Sequence, residues 1–179
     1  CSVMVFDVPK GHATHVFRGH TAPVQCVCFH PQRSRLQLFS TSADLTVRMW
    51  DLRTRQCAAT FDAHVGLPTC LAFSPDGGSL ISGGRDQLVH VYDLETKALT
   101  SSIALLEAVE AVHVEAVDAP PKKAKKAAGH AADAQPLHFV SAGSSGRLRR
   151  WDARTGKAVR SAGASGGAAD GALPALMGL

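Results

Sequence analysis

Residues 45–57, LTVRMWDLRTRQC, contain an alternating apolar run closed by an aromatic–Asp pair, Trp50–Asp51, and followed by a Leu-Arg-Thr-Arg turn. The same ending occurs four times, as VMVFD at 3–7, VRMWD at 47–51, VHVYD at 89–93 and LRRWD at 148–152. The closing aspartates, Asp7, Asp51, Asp93 and Asp152, are 44, 42 and 59 residues apart, and Thr54, Thr96 and Thr155 follow three of them in register. Self-similarity at a period a little over forty residues marks a protein built from stacked units, each unable to bury its apolar face alone.

Within each period, alternation with a period of two predicts four short strands separated by turn residues, the content of one propeller blade. The best repeat gives strands at 24–29, 36–42, 45–50 and 56–62, and the next gives them at 69–74, 79–84, 87–92 and 98–104. In the third repeat AVEAVHVEA at 108–116 and LHFVSAG at 137–143 flank a long interruption, which accounts for the 59-residue spacing. That interruption, residues 117–136, is rich in Ala, Lys and Pro and has little to bury, so it reads as a disordered insertion.

Each good repeat also carries a histidine about 28–30 residues before its closing aromatic, in Arg-Gly-His at 18–20 and Asp-Ala-His at 62–64. Motif, period and four-strand pattern together resemble the WD-repeat family over nearly the whole chain. The resemblance implies an all-β WD-repeat β-propeller with a buried chain of hydrogen bonds in each blade. By motif position those chains are His20, Ser40, Asp44 and Trp50, then His64, Ser82, Asp86 and Tyr92. The Asp precedes a tight turn and accepts from backbone N–H groups and the imidazole, while the Ser receives the indole N–H. Recurrence of Ser, His and Asp in two blades speaks against a hydrolytic site, because one active site would not be built twice. In the third repeat Ser145 stands where Asp is expected and Glu107 stands near the place of the His, so that network is expected to be incomplete.

Composition narrows the function classes. The formal net charge is +4, but Lys122, Lys123, Lys125 and Lys126 sit together in the insertion, and without residues 117–136 the balance falls to +2. A field that weak does not argue for nucleic-acid binding by the globular part. Five cysteines, Cys1, Cys26, Cys28, Cys57 and Cys70, form no Cys-x-x-Cys pair, and a reducing intracellular setting is expected. Cys26 and Cys28 point to one face of a predicted strand, a usual place for small buried thiols. No run of 18 apolar residues is present. The nine histidines show no metal-ligand spacing with the cysteines, and no strand, glycine loop and helix stand together to hold a phosphate, so no metal, cofactor or catalytic site is expected.

Finer wording narrows the family. FRGHTAPVQCVCFHP at 17–31, LQLFSTSADLTVRMWDLRTRQC at 36–57 and LLEAVEAVHV at 105–114 resemble the U3 small nucleolar RNA-associated (transducin beta-like 3) family of WD-repeat proteins. The resemblance implies a non-catalytic scaffold of the nucleolar small-subunit processome, acting in pre-rRNA processing among the proteins of a large ribonucleoprotein assembly, with contact to U3 snoRNA or pre-rRNA open. On this reading the chain is part of a larger protein and supplies about three and a half blades. Residues 1–19 end a preceding blade, 20–62 and 63–106 form WD blades, 107–162 form a degenerate blade, and 163–179 are a low-complexity tail with the start of a further blade. The cluster PPKKAKK at 120–126 is either a nuclear signal or nucleic-acid contact, or a solvated loop. Arg85, beside the turn residue Asp86, is either a partner contact or a solvated arginine. A second function stays open: Asp44, Val47, Met49, Trp50, Asp51 and Arg53 resemble the box read by adaptors of cullin-RING ubiquitin ligases, which implies a substrate receptor.

Overall fold

The computed structural model of the chain describes residues 1–115 and 137–159. The described residues form thirteen strands, one short 3-10 helix at Arg33–Arg35 and four antiparallel sheets. The first sheet pairs β1 (Ser2–Asp7) with β2 (His12–Arg18). The second has β3 (Val24–Phe29), β4 (Gln37–Ser42), β5 (Val47–Asp51) and β6 (Gln56–Phe61) in sequence order. The third runs the same way through β7 (Pro68–Phe73), β8 (Ser79–Gly84), β9 (Leu88–Asp93) and β10 (Ala98–Ala104). The fourth contains β11 (Val109–Glu115), β12 (His138–Gly143) and β13 (Leu148–Asp152), and beyond it Ala158 makes one isolated bridge to Trp151. Successive up-and-down strands with adjacent packed sheets are the architecture of a partial propeller.

Two turn families set the geometry. In the turns after β1, β5, β9 and β13, the residue four beyond the closing aspartate has positive φ: Gly11 at 67°, Arg55 at 62°, Lys97 at 56° and Gly156 at 65°. A glycine adopts that left-handed conformation freely, whereas a side chain pays for it. The aspartate compensates by accepting N–H bonds within the turn, as Asp51 Oδ1 does from Arg53 at 2.6 Å and from Thr54 at 3.1 Å. This explains why an aspartate closes each aromatic strand. The second family joins the middle two strands, where Leu45, Gln87 and Gly146 have φ of 68°, 64° and 72°.

Packing between sheets explains the aromatic of each pair. Trp50 is buried with Val3 and Phe17 of the sheet before it. Tyr92 packs with Phe39, Met49 and Phe61 of the second sheet, its ring centroid 4.7 Å from that of Phe61. Trp151 joins Ile81, Val91 and Ile103 of the third. Each of these three aromatics therefore fastens its own sheet to the preceding one, and a fully buried ring of this kind contributes about 2–3 kcal/mol, whereas Phe6 of the first pair stays exposed.

Polar links reinforce the stacking. Gln32 donates its N–H to His30 Nδ1 at 3.0 Å, which leaves His30 Nε2 as the donor to the Gly77 carbonyl of the next sheet, also at 3.0 Å. Gln32 Nε2 donates to Asp76 O at 2.7 Å, and His15 Nε2 lies 3.0 Å from Leu52 O. Cys28 and Cys70 are held between sheets, and burial pushes their thiols up to about 12 and about 11. Lys122, Lys123, Lys125 and Lys126 fall outside the described residues, as do 116–136 and the tail.

Candidate functional site

Strand direction alternates within every sheet, so each sheet has two ends. At one end lie the turns 43–46, 85–87 and 144–147 and the links between sheets, and at the other lie the loops 30–36 and 74–78 and the turns after the closing aspartates. The histidine networks belong to the first end.

In the second sheet Trp50 Nε1 donates to Ser40 Oγ at 2.8 Å, Ser40 Oγ lies 2.7 Å from His20 Nε2, and His20 Nδ1 lies 2.8 Å from Asp44 Oδ2. Because the indole can only donate, Ser40 accepts it and gives its own proton to His20 Nε2, and the imidazole N–H then goes to Asp44. Asp44 also accepts from Thr21 N and from Thr46 N and Oγ1. Burial opposes its ionisation, but the bonds from Thr46, His20 and Thr21 outweigh it and hold the carboxyl far below the usual carboxylate range. Ser40 is fully buried with its oxygen committed to Trp50, so the Ser-His-Asp set has neither a free nucleophile nor room for a substrate.

The third sheet repeats the inner part of the chain: His64 Nδ1 is 2.8 Å from Asp86 Oδ2 and His64 Nε2 is 2.7 Å from Ser82 Oγ. The expected outer member departs from the pattern. Tyr92 is buried near Ser82, yet its hydroxyl lies outside hydrogen-bond geometry and has no partner among the described residues. Burial pushes this phenol up to about 12. A phenol projects its oxygen farther along the ring axis than an indole projects its N–H, so one hydroxyl acceptor does not serve both.

His90, two residues before Tyr92, adds a group absent from the sequence reading of this site. Its ring centroid is 4.4 Å from that of His64, its Nδ1 is 2.8 Å from Ser102 Oγ, and its Nε2 is buried without a partner among the described residues. Donor atoms of His64, Asp86 and His90 all lie within 4.8 Å of one another. Both His64 nitrogens are already engaged by Asp86 and Ser82, so a cation could enter only by displacing the network.

The fourth sheet corrects one sequence assignment. His20 and His64 each precede their first strand by four residues, and register aligns Val24, Pro68 and Val109 as equivalents. Leu105, buried in the core, therefore occupies the histidine position, and Glu107 lies two residues further on. Glu107 reaches over Gly143, where a Cβ would collide with it, and its Oε2 accepts from Ser145 N at 3.2 Å and from Ser145 Oγ. Trp151 Nε1 still donates to Ser141 Oγ at 2.8 Å. The fourth network is thus split into two separate pairs, Glu107–Ser145 and Trp151–Ser141.

The two arginines singled out by sequence are at opposite ends. Arg85 is at the network end, where its Nε lies 3.6 Å from Glu110 Oε1 of β11 and its side chain remains 59% exposed. Arg53 is exposed in the turn after β5. They do not form one surface. Two open clefts of about 490 Å³ are present, one lined by Phe29, Pro31, Leu36 and Leu52 and the other by Val140, Leu148 and Arg150, and neither contains a member of the networks.

Comparison with known proteins agrees with this geometry. The family "WD domain, G-beta repeat" matches residues 11–51 and 55–93, so each matched unit runs from the outer strand of one sheet through three strands of the next. Transducin beta-like protein 3 of Bos taurus is 39% identical over 158 residues, and that of Homo sapiens is 37% identical over 158 residues; each alignment covers 88% of this chain and 19% of the relative. Pre-mRNA-processing factor 19 of Bos taurus is 31% identical over 102 residues, covering 57% of this chain and 20% of that protein. The chain spans about a fifth of the length of the curated relatives it matches.

Proposed function

The chain belongs to the WD-repeat proteins, typically non-catalytic scaffolds, and from that premise we propose that it serves as a scaffold of the nucleolar small-subunit processome in pre-rRNA processing. The observation that carries this reading is the similarity to transducin beta-like protein 3 across 88% of the chain, which includes the degenerate fourth sheet as well as the two regular ones. A relative whose name is that of a pre-mRNA-processing factor supports the wider placement in nuclear RNA processing. The buried networks support a scaffold physically, because they consume the polar side chains that chemistry would need and convert them into rigidity. A rigid partial ring presents loops at both ends, where a few exposed anchors supply binding energy to other proteins of a ribonucleoprotein assembly. Arg85 and Arg53 are offered on this reading as contacts to different partners. Depletion of the intact protein from cells, followed by analysis of precursor rRNA, tests the proposal: uncleaved early precursors and a loss of small subunits are expected, and normal processing would overturn it.

A further inference from the structure

The small net charge of the folded part conceals an uneven distribution. At the end of the second sheet opposite the histidine networks, the loop 30–36 carries Arg33 and Arg35, and the turn after β5 carries Arg53 and Arg55. All four are exposed, and none makes an ion pair among the described residues. Neither segment contains an acidic residue, and Asp51, which ends β5 just before the second, has an oxygen committed to the N–H groups of Arg53 and Thr54.

The backbone that carries these charges is fixed. Leu52 N donates to Leu36 O at 2.9 Å and ties the two loops together, while Gln32 Nε2 and His30 Nε2 bind the first loop to Asp76 and Gly77 of the third sheet. The fold does not require arginine at these places. In the third sheet the equivalent loop is Ser-Pro-Asp-Gly-Gly at 74–78; the counterparts of Arg53 are Glu95 and Arg154, and those of Arg55 are Lys97 and Gly156, so only the second sheet has basic residues at all of these places. Arg55 thus stands at a left-handed position that glycine would occupy more easily. By contrast, Arg85 and Arg149 at the network end face Glu110 and Glu107.

We infer that Arg33, Arg35, Arg53 and Arg55 form a contact surface for the phosphodiester backbone of RNA. Four guanidiniums, each a planar fork that matches phosphate oxygens two at a time, stand on a backbone held in place by the bonds between these loops. The inference rests on the proposed function, which brings the chain to RNA; an acidic protein segment is the occupant the test must separate from it.

The test compares the intact protein with its R33Q/R35Q/R53Q/R55Q variant, using a labelled 20-nucleotide single-stranded RNA of mixed sequence across a range of KCl concentrations. The variant is expected to lose at least tenfold in affinity at low salt, and the slope of log affinity against log salt is expected to become shallower by about 3, the value for four phosphates on a single strand. An R18Q/R147Q control at the other end should stay within twofold. Wild-type RNA affinity and slope in a variant that melts like the parent would overturn the inference, as would an intact protein that does not bind the probe. Loss of binding to a poly-glutamate peptide with RNA affinity unchanged would also overturn it. If the variant binds RNA normally while depletion of the protein still blocks rRNA cleavage, this surface fails and the proposed function stands.

Discussion

The indole N–H of Trp50 is donated to Ser40 Oγ over 2.8 Å, and this bond sets the proton order of the network through His20 to Asp44. Its counterpart in the third sheet, Tyr92, supplies no such donor, and its hydroxyl is buried without a partner. Two conservative substitutions should therefore behave oppositely. Trp50→Phe removes a donor, leaves a void and should cost about 2–4 kcal/mol. Tyr92→Phe removes an unpaired buried hydroxyl and should fall between neutral and about 1 kcal/mol stabilising. Denaturant unfolding of the intact protein, followed by hydrogen exchange in β5 and β9, measures both, and a Tyr92→Phe loss as large as that of Trp50→Phe would refute the broken third network.

His90 should make stability depend on pH. Burial lowers its pKa first, and the neighbouring His64 lowers it further, although Asp86 and the Ala63 carbonyl act the other way. Its folded pKa therefore lies below the ordinary value of about 6.5, so the unfolded chain takes up the proton first. The stabilisation is present above pH of about 6.5 and is lost as the pH falls toward the lower folded value. His90→Gln should flatten the dependence of unfolding free energy on pH between about 7 and 5.5, whatever it does to the stability at pH 7. Asp44 and Asp86, both held low in the folded state, act in a separate window: their contribution is intact above about pH 4 and is lost only below it. An unchanged slope near pH 6 in the His90→Gln variant would exclude His90 as its source.

The fourth sheet should reject the residue that the motif asks for. Ser145 gives both its N–H and its hydroxyl to Glu107, and the Ser145 hydroxyl is the main reason the Glu107 carboxyl is held below its ordinary value. Ser145→Asp would set a second carboxylate against the first, and the unfolding midpoint should drop by a few degrees. Adding Glu107→Gln should recover most of that drop. A rise in midpoint for Ser145→Asp alone would contradict the paired geometry described above.

Much of the fold was readable because its causes are local. The aromatic–Asp endings mark where a strand ends and turns, with the ring buried at Trp50, Tyr92 and Trp151 though not at Phe6, and the spacing of those endings counts the sheets. Sequence reading placed Ser79–Gly84 and Ala98–Ala104 at their observed limits. Other features depend on register across strands, which motif order does not reveal. Glu107 was read near the histidine position because it is the polar residue closest to the expected spacing, but counting four residues back from the first strand gives Leu105. His90 gave no local signal: its partnership with His64 requires β9 to lie beside the link that precedes β7. The four arginines were averaged away in the net charge, since only topology shows that 30–36 and 52–55 meet at one end of one sheet. The Lys122–Lys126 cluster lies outside the described residues, and its role as a nuclear signal or nucleic-acid contact remains a proposal of the sequence alone.

The central claim is that this WD-repeat chain works as a scaffold in an RNA-processing assembly. It is tested most directly by affinity purification of the intact tagged protein from nuclear extract, with identification of the proteins and RNAs that remain bound after a stringent wash. The account predicts a stable ribonucleoprotein containing U3 snoRNA and precursor rRNA, retained by a Trp50→Phe variant that still folds. Recovery of a cullin-RING adaptor with neither RNA present would contradict it and favour a ubiquitin-ligase receptor.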